Sequence, residues 1–231
     1  MVKKKGPDKA EERLEVVEEA LSKSERFIEH NQKTITTVVV VIVVIVLAYF
    51  GVSRYYFQPR QQQANEQMFM AEKYFESDSL NKALYGDGNF MGFLDIIDEY
   101  GMTKAANLAR YYTGIIYLKQ GDYEEAIANL KKFKSRDNIV KPMALGAMGD
   151  AYLELNQHDN AIKQYLAAAR ASSNDLTAPL YLFRAAQVYE MQDNYRKALE
   201  LYEQIKKDYY TSNEGRLMDK YITRAKSKIN K

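Results

Sequence analysis

The chain has no cysteine and no tryptophan, and only two histidines and four prolines in 231 residues. Without cysteine there is no disulfide, no thiolate metal site and no lipid-modified cysteine anchor. No glycine-rich phosphate loop occurs. A strong charge of one sign is missing too: 33 basic against 31 acidic residues leave a formal +2. That balance gives no overall pull toward nucleic acid. The histidines, His30 and His158, lie on either side of the longest apolar run, too far apart in organisation to act together.

That run, Thr36 to Gly51, reads TTVVVVIVVIVLAYFG. No charge falls between Lys33 and Arg54. About 20 uncharged residues at 1.5 Å each make roughly 30 Å of helix, the thickness of a bilayer's hydrocarbon core. Valine and isoleucine are poor helix formers in water, but in lipid the backbone must bond internally whatever its side chains. Tyr49, Phe50, Tyr55, Tyr56 and Phe57 cluster at the C-terminal end as an aromatic belt, with Arg54 and Arg60 placed to snorkel. Pro59 is expected to end the helix by Gln58. A cleaved signal peptide would start with a short basic region. Here a long segment of mixed charge precedes the run, and aromatics crowd the small-residue site at Gly51-Val52-Ser53. The expectation is a retained signal-anchor over residues 34–58. Basic residues flank both ends, and the cluster Lys3, Lys4, Lys5 tips the balance toward a cytoplasmic N-terminus.

Residues 1–33 form a charged cytoplasmic segment in this reading. Leu14, Val17, Leu21 and Ile28 recur at helical spacing, interrupted by Ser24. The stripe is too short for a self-sufficient coiled coil. It reads as a docking helix or as a solvated lead-in to the membrane.

Beyond Gln61 the chain repeats itself. Three stretches begin at Asn107, Pro142 and Pro179. Each has a small residue (Gly114, Gly149, Ala186), then a tyrosine three positions on (Tyr117, Tyr152, Tyr189). A turn rich in Gly, Asn, Asp and Gln follows. Nine residues after each tyrosine stands an alanine (Ala126, Ala161, Ala198), and four further on a large residue (Leu130, Tyr165, Tyr202). This pattern resembles the tetratricopeptide repeat (TPR), a helix–turn–helix unit of about 34 residues. It departs from the consensus in lacking tryptophan and the late proline; Pro142 and Pro179 fall instead at helix starts. The small residues let two antiparallel helices approach, and the tyrosine fills space toward the next unit. One unit cannot bury its own apolar face, so several must stack. Residues 61–100 read as a degenerate pair in which Ala71 and Tyr74 keep the small-x-x-Tyr spacing, with SLNKALYGDGNF (79–90) as an interrupting loop. Residues 214–229 read as a capping helix with Leu217, Tyr221, Ala225 and Ile229 on one face. The fold class is all-α: a transmembrane helix followed by a TPR solenoid.

No constellation for catalysis stands out, and no cofactor, metal or small-molecule substrate is expected. Asp87-Gly88-Asn89 lacks calcium-loop spacing and reads as a turn. Asp95, Asp98 and Glu99 read as a solvated helix edge. The basic KKFKSR (131–136) reads as an outer helix face, since no aromatic platform repeats beside it for nucleic acid.

The TPR resemblance implies a groove lined by five first-helix positions of each unit. Those positions hold Leu108, Tyr111, Ile115, Leu118 and Lys119; then Met143, Gly146, Asp150, Leu153 and Glu154; then Leu180, Phe183, Gln187, Glu190 and Met191. Of these, Tyr111, Ile115, Leu118, Met143, Asp150, Phe183, Gln187 and Met191 are the expected partner contacts. The lysines and asparagines of a carboxylate clamp are missing, so the surface reads as apolar and adaptable. The alternative is that several of these side chains are core, or are covered by the N-terminal pair or the capping helix.

Taken whole, the chain resembles the YfgM-like family of bacterial single-pass inner-membrane TPR proteins, ancillary to the SecYEG translocon. The resemblance rests on ERFIEHNQKTI before the span and the repeats after it. It implies a non-catalytic scaffold whose periplasmic repeats meet translocon subunits, periplasmic chaperones or exported polypeptides. The same architecture also serves scaffolds of envelope or cytochrome c assembly, and cytosol-facing import receptors of organelle membranes.

Overall fold

The computed structural model describes residues 30–230, and the chain divides into two compact units at Pro59. The stripe Leu14, Val17, Leu21, Ile28 and the basic cluster Lys3–Lys5 lie outside the described residues.

The first unit holds helix α1 (Gln32–Val52), none of whose side chains is buried. Its 21 residues make about 31 Å. It is long and apolar enough to cross a membrane. A π-helical stretch, Ser53–Phe57, follows, and the Gln58 N–H donates to the Ser53 carbonyl five residues back. Pro59 does not stop the helix as expected. It falls at the second position of helix α2 (Gln58–Glu76). In an unbroken α-helix the proline ring would press on the carbonyl four residues earlier. The wider π turn re-spaces the ladder there, and the proline occupies a first turn, where its missing N–H costs little.

Ten helices, α2 to α11, make up the second unit among the described residues. They are α2, α3 (Leu80–Tyr85), α4 (Phe93–Glu99), α5 (Lys104–Gln120), α6 (Tyr123–Lys132), α7 (Val140–Glu154), α8 (His158–Ala171), α9 (Ala178–Met191), α10 (Tyr195–Asp208) and α11 (Met218–Ile229). One turn geometry recurs four times. The backbone N–H of Ser79, Asp122, Gln157 and Asn194 donates to the carbonyl of Tyr74, Tyr117, Tyr152 and Tyr189, at 2.8–2.9 Å. The residue just before each donor is left-handed: Asp78, Gly121, Asn156 and Asp193. This is a Schellman closure, in which the sixth residue's N–H caps the first residue's carbonyl. It reverses the chain so that the next helix lies against the last.

The alanine nine residues beyond each of those tyrosines is fully buried: Ala83, Ala126, Ala161 and Ala198. Ala83 lies in the stretch expected to be a loop. Leu80, Ala83 and Leu84 at helical spacing bury one side of α3, which makes it the start of the second helix of the first pair. The helix breaks at Gly86, left-handed at φ 79°, where a side chain would meet the Phe90 carbonyl at 2.3 Å. The Asp87 carboxylate accepts the N–H groups of Asn89 and Phe90 at 2.9 Å and the Tyr74 hydroxyl at 2.7 Å. Asp87-Gly88-Asn89 is thus a turn held by its own carboxylate. Helix α4 then resumes and buries Phe93 and Ile96.

The C-terminal helix starts later than expected. A short 3₁₀ turn, Gly215–Leu217, leaves Leu217 56% exposed. Gly215 lies so close to Tyr209 that a Cβ would come 2.0 Å from its carbonyl. The chain bends there, and α11 seats Met218 and Ala225 fully buried, with Tyr221 and Ile222 beside them.

Paired helices touch where side chains are small. A Cβ on Gly149 would sit 2.6 Å from the Tyr165 ring, and one on Gly146 2.0 Å from the Tyr181 ring. Tyr181 stacks on Tyr165 and is itself buried, so it cannot retreat. Gly146→Ala gains about 1 kcal/mol of helix propensity but incurs about 1–3 kcal/mol of overpacking. We expect a net loss and a lower melting temperature. Ala161→Leu is expected to cost about 1–3 kcal/mol by the same mechanism. Thermal unfolding followed by circular dichroism reads both; an unchanged melt in either variant contradicts the packing described.

Candidate protein-interaction surface

Helix α9 carries two faces. Tyr181, Leu182, Ala185, Ala186 and Val188 go into the core. Leu180, Phe183, Arg184, Gln187 and Met191 recur at spacings of three and four and share the other side. With Leu153 of α7 and Tyr165 of α8 they line a depression of about 400 Å³. Its apolar lining is open to solvent in places, with Met191 60% exposed.

The expected groove residues do not all meet there. Leu153, Leu180, Phe183, Gln187 and Met191 line this depression. Tyr111, Ile115 and Leu118 on α5 pack instead in a cluster with Leu130 and Met148. The Tyr111 ring lies 5.4 Å from Phe133, which follows α6 directly. Met143 is 42% exposed on α7, and Gly146 is buried beneath Tyr181. Phe183 meets the Tyr221 ring edge-on at 4.8 Å, so α11 covers part of it. Leu108 belongs to the α2–α5 cluster, and Lys119 pairs with Asp78 at 3.1 Å. Glu154 is exposed. Among the small packing positions, Gly114, Gly149 and Ala186 are buried, and Tyr117, Tyr152 and Tyr189 are half-buried.

Asp150 and Glu190, both expected at groove positions, instead enter two polar clusters whose arginine partners reading the repeats alone did not give. Asp150 of α7 pairs with Arg184 of α9, and the same oxygen accepts the Tyr165 hydroxyl at 2.6 Å. One unit on, Glu190 of α9 pairs with Arg224 of α11 beside the buried Tyr202 hydroxyl. Both acid–arginine pairs are 34 residues apart, about one repeat. That spacing is the one signal the sequence offered. Asp150–Arg184 bridges the first helices of two successive units, and Glu190–Arg224 ties the last of these to the C-terminal helix; of the four side chains, Arg184 lines the depression.

Burial pushes the phenol of Tyr165 well above its ordinary value, and its hydrogen bond to the Asp150 carboxylate adds to this. Tyr202 is raised chiefly by burial, then by the Glu190 charge. Tyr181 is pushed up to about 12, mostly by burial. Among the described residues no group of three or more His, Asp or Glu side chains is placed to hold a metal ion.

These phenols stay protonated in the fold after the unfolded chain has begun to release its tyrosine protons near pH 10. The unfolded state then binds fewer protons than the folded one, so stability falls as pH rises. Stability from these groups is fully present below about pH 10 and declines above it. We expect tyrosinate absorbance and loss of helical signal to rise together above that point. Tyr165→Phe should make the alkaline decline shallower. A decline of unchanged steepness in that variant contradicts the placement of the Tyr165 hydroxyl.

Comparison with known proteins bears on the fold. Residues 108–137 and 147–210 each match tetratricopeptide repeat families. The chain is similar to the nearly identical TPR-like repeats of a Podospora anserina protein assigned as a kinesin light chain. The TM-score is 0.56 at 12% identity, over 74% of this chain and 88% of that one. A single-substitution variant of the same protein gives 0.55 over the same shares. At that identity the likeness concerns the fold alone. No curated protein matches the chain in sequence. Residues 108–137 and 147–210 are thus tetratricopeptide repeats, a unit that implies a scaffold for contacts between proteins.

Proposed function

We propose that this is a membrane-anchored TPR scaffold, held in a bacterial inner membrane by α1 with its N-terminus cytoplasmic and its repeats periplasmic. In this reading it is ancillary to the Sec translocon and passes exported polypeptides to periplasmic chaperones without catalysis. The observation that carries the reading is that one chain holds both the apolar helix α1 and the α7–α9 depression. The helix is uncharged from Thr34 to Ser53 and buries no side chain, which in water would be costly exposure. The depression offers apolar and methionine side chains, which adapt to varied partners. Such contacts are individually weak, and ordering a flexible client costs free energy, so affinity near or weaker than micromolar is expected, about −8 kcal/mol or smaller in magnitude.

Two measurements test it. Protease added to spheroplasts is expected to digest the repeats; protection of the repeats contradicts the orientation. Met191→Glu places a charge in the depression at an exposed site, where the fold should survive. We expect it to cut crosslinking to translocon subunits, chaperones or nascent chains in native membranes by about tenfold. Unchanged recovery with an intact helical signal contradicts the depression as the binding surface.

A further inference from the structure

A second depression, of about 390 Å³, lies between α6, α7 and α8. It draws on the opposite face of α7 from the first. At 100° per residue, Ala144 and Met148 stand across the helix axis from Leu153, the α7 residue that lines the first depression. It is therefore a separate surface, and its case is independent of the function proposed above.

Its floor is apolar: Leu130, Phe133, Ala144, Leu145 and Met148. Its rim is basic: Lys131, Lys134 and Lys141. No carboxylate lines it, and none of the three lysines takes part in an ion pair among the described residues. The segment Lys131–Lys141 holds five basic side chains and one acidic one, Asp137. That carboxylate is turned away to the start of α7, where it accepts the N–H groups of Ile139 and Val140 at 2.7 and 2.8 Å. The rim is also held in place. Asn107 clamps the backbone of Lys134 from both sides, its amide donating to the Lys134 carbonyl at 2.8 Å and its oxygen accepting the Lys134 N–H at 2.9 Å.

A solvated basic face needs no apolar trough, and an apolar trough waiting for a neutral segment needs no ring of unpaired cations. Together they fit one kind of occupant. We infer that this depression docks a partner polypeptide segment that is amphipathic and acidic, apolar side chains seated on Phe133, Leu145 and Met148, carboxylates meeting the three lysines. The row from Lys141 to Tyr152 runs about 16 Å along α7, enough for three turns of a helix laid beside it. Charge complementarity would set the choice of partner and speed the encounter, and would weaken with salt.

The test uses the full chain in neutral detergent micelles and three fluorescent peptides read by anisotropy. The first carries leucines at helical i, i+4 spacing with glutamates elsewhere; the second replaces its leucines with serine; the third replaces its glutamates with lysine. We expect the first to bind most tightly and to weaken as salt rises. Lys131→Glu, Lys134→Glu and Lys141→Glu combined should lower its affinity about tenfold or more. The matching lysine-to-glutamine set should give a smaller loss, and keeps the test usable if charge reversal disturbs the fold. Met191→Glu, in the other depression, should leave this binding unchanged. No binding of the first peptide overturns the proposal. So does equal binding of the lysine or serine peptide, or indifference to both lysine sets. Loss by Met191→Glu without loss by the lysine sets would move the site to the α7–α9 depression. Binding to phosphatidylglycerol vesicles without binding to the first peptide would make the patch a membrane contact.

Discussion

The close approach of the two helices in each repeat governs this structure. It is possible only where a side chain is small. Gly114 lies against Leu130, Gly149 against the Tyr165 ring and Ala161 at zero exposure, so neighbouring backbones come near enough for large residues to interlock. The Schellman turn after each repeat tyrosine supplies the reversal that brings the helices there. Remove the small residue and the large partner has no place. Remove the turn and the second helix has no direction. Units then stack because the faces left over are apolar. The acid–arginine pair Asp150–Arg184 ties first helices of successive units across that stack, and Glu190–Arg224 ties the last of them to the C-terminal helix.

This explains what could be read from the sequence. The small residue, the tyrosine three later and the alanine nine beyond it are local, so the three complete repeats were legible and so was the all-helical class. The first pair was legible only in part. Ala83 stands nine beyond Tyr74, the same interval, but Gly86 and Gly88 made the segment look like a loop. The helix does break there, one turn after Ala83. Pro59 and Leu217 misled for a related reason: each marks an irregular turn, π at Ser53–Phe57 and 3₁₀ at Gly215–Leu217, that shifts where the next helix begins.

The surface was less legible than the fold. Positions on α9 gather at one depression, with Phe183 partly covered by Tyr221 of α11. The equivalent positions on α5 face a cluster completed by Phe133, a residue outside the repeat pattern. Nor does the pattern say which acid meets which arginine, since the partners lie a whole unit apart. The basic stretch 131–136 looked like a solvated face. Folding sets it along the edge of an apolar trough, which a one-dimensional reading of charge cannot show.

We propose that the α7–α9 depression is where this scaffold meets its protein partners. A photoreactive amino acid at Gln187 tests it most directly, with the same group at exposed Lys207 as the reference. Both are irradiated in the full chain in native membranes. Discrete protein adducts are expected from position 187, and none of comparable yield from position 207. Equal adducts at both positions, or adducts at 207 alone, would contradict it.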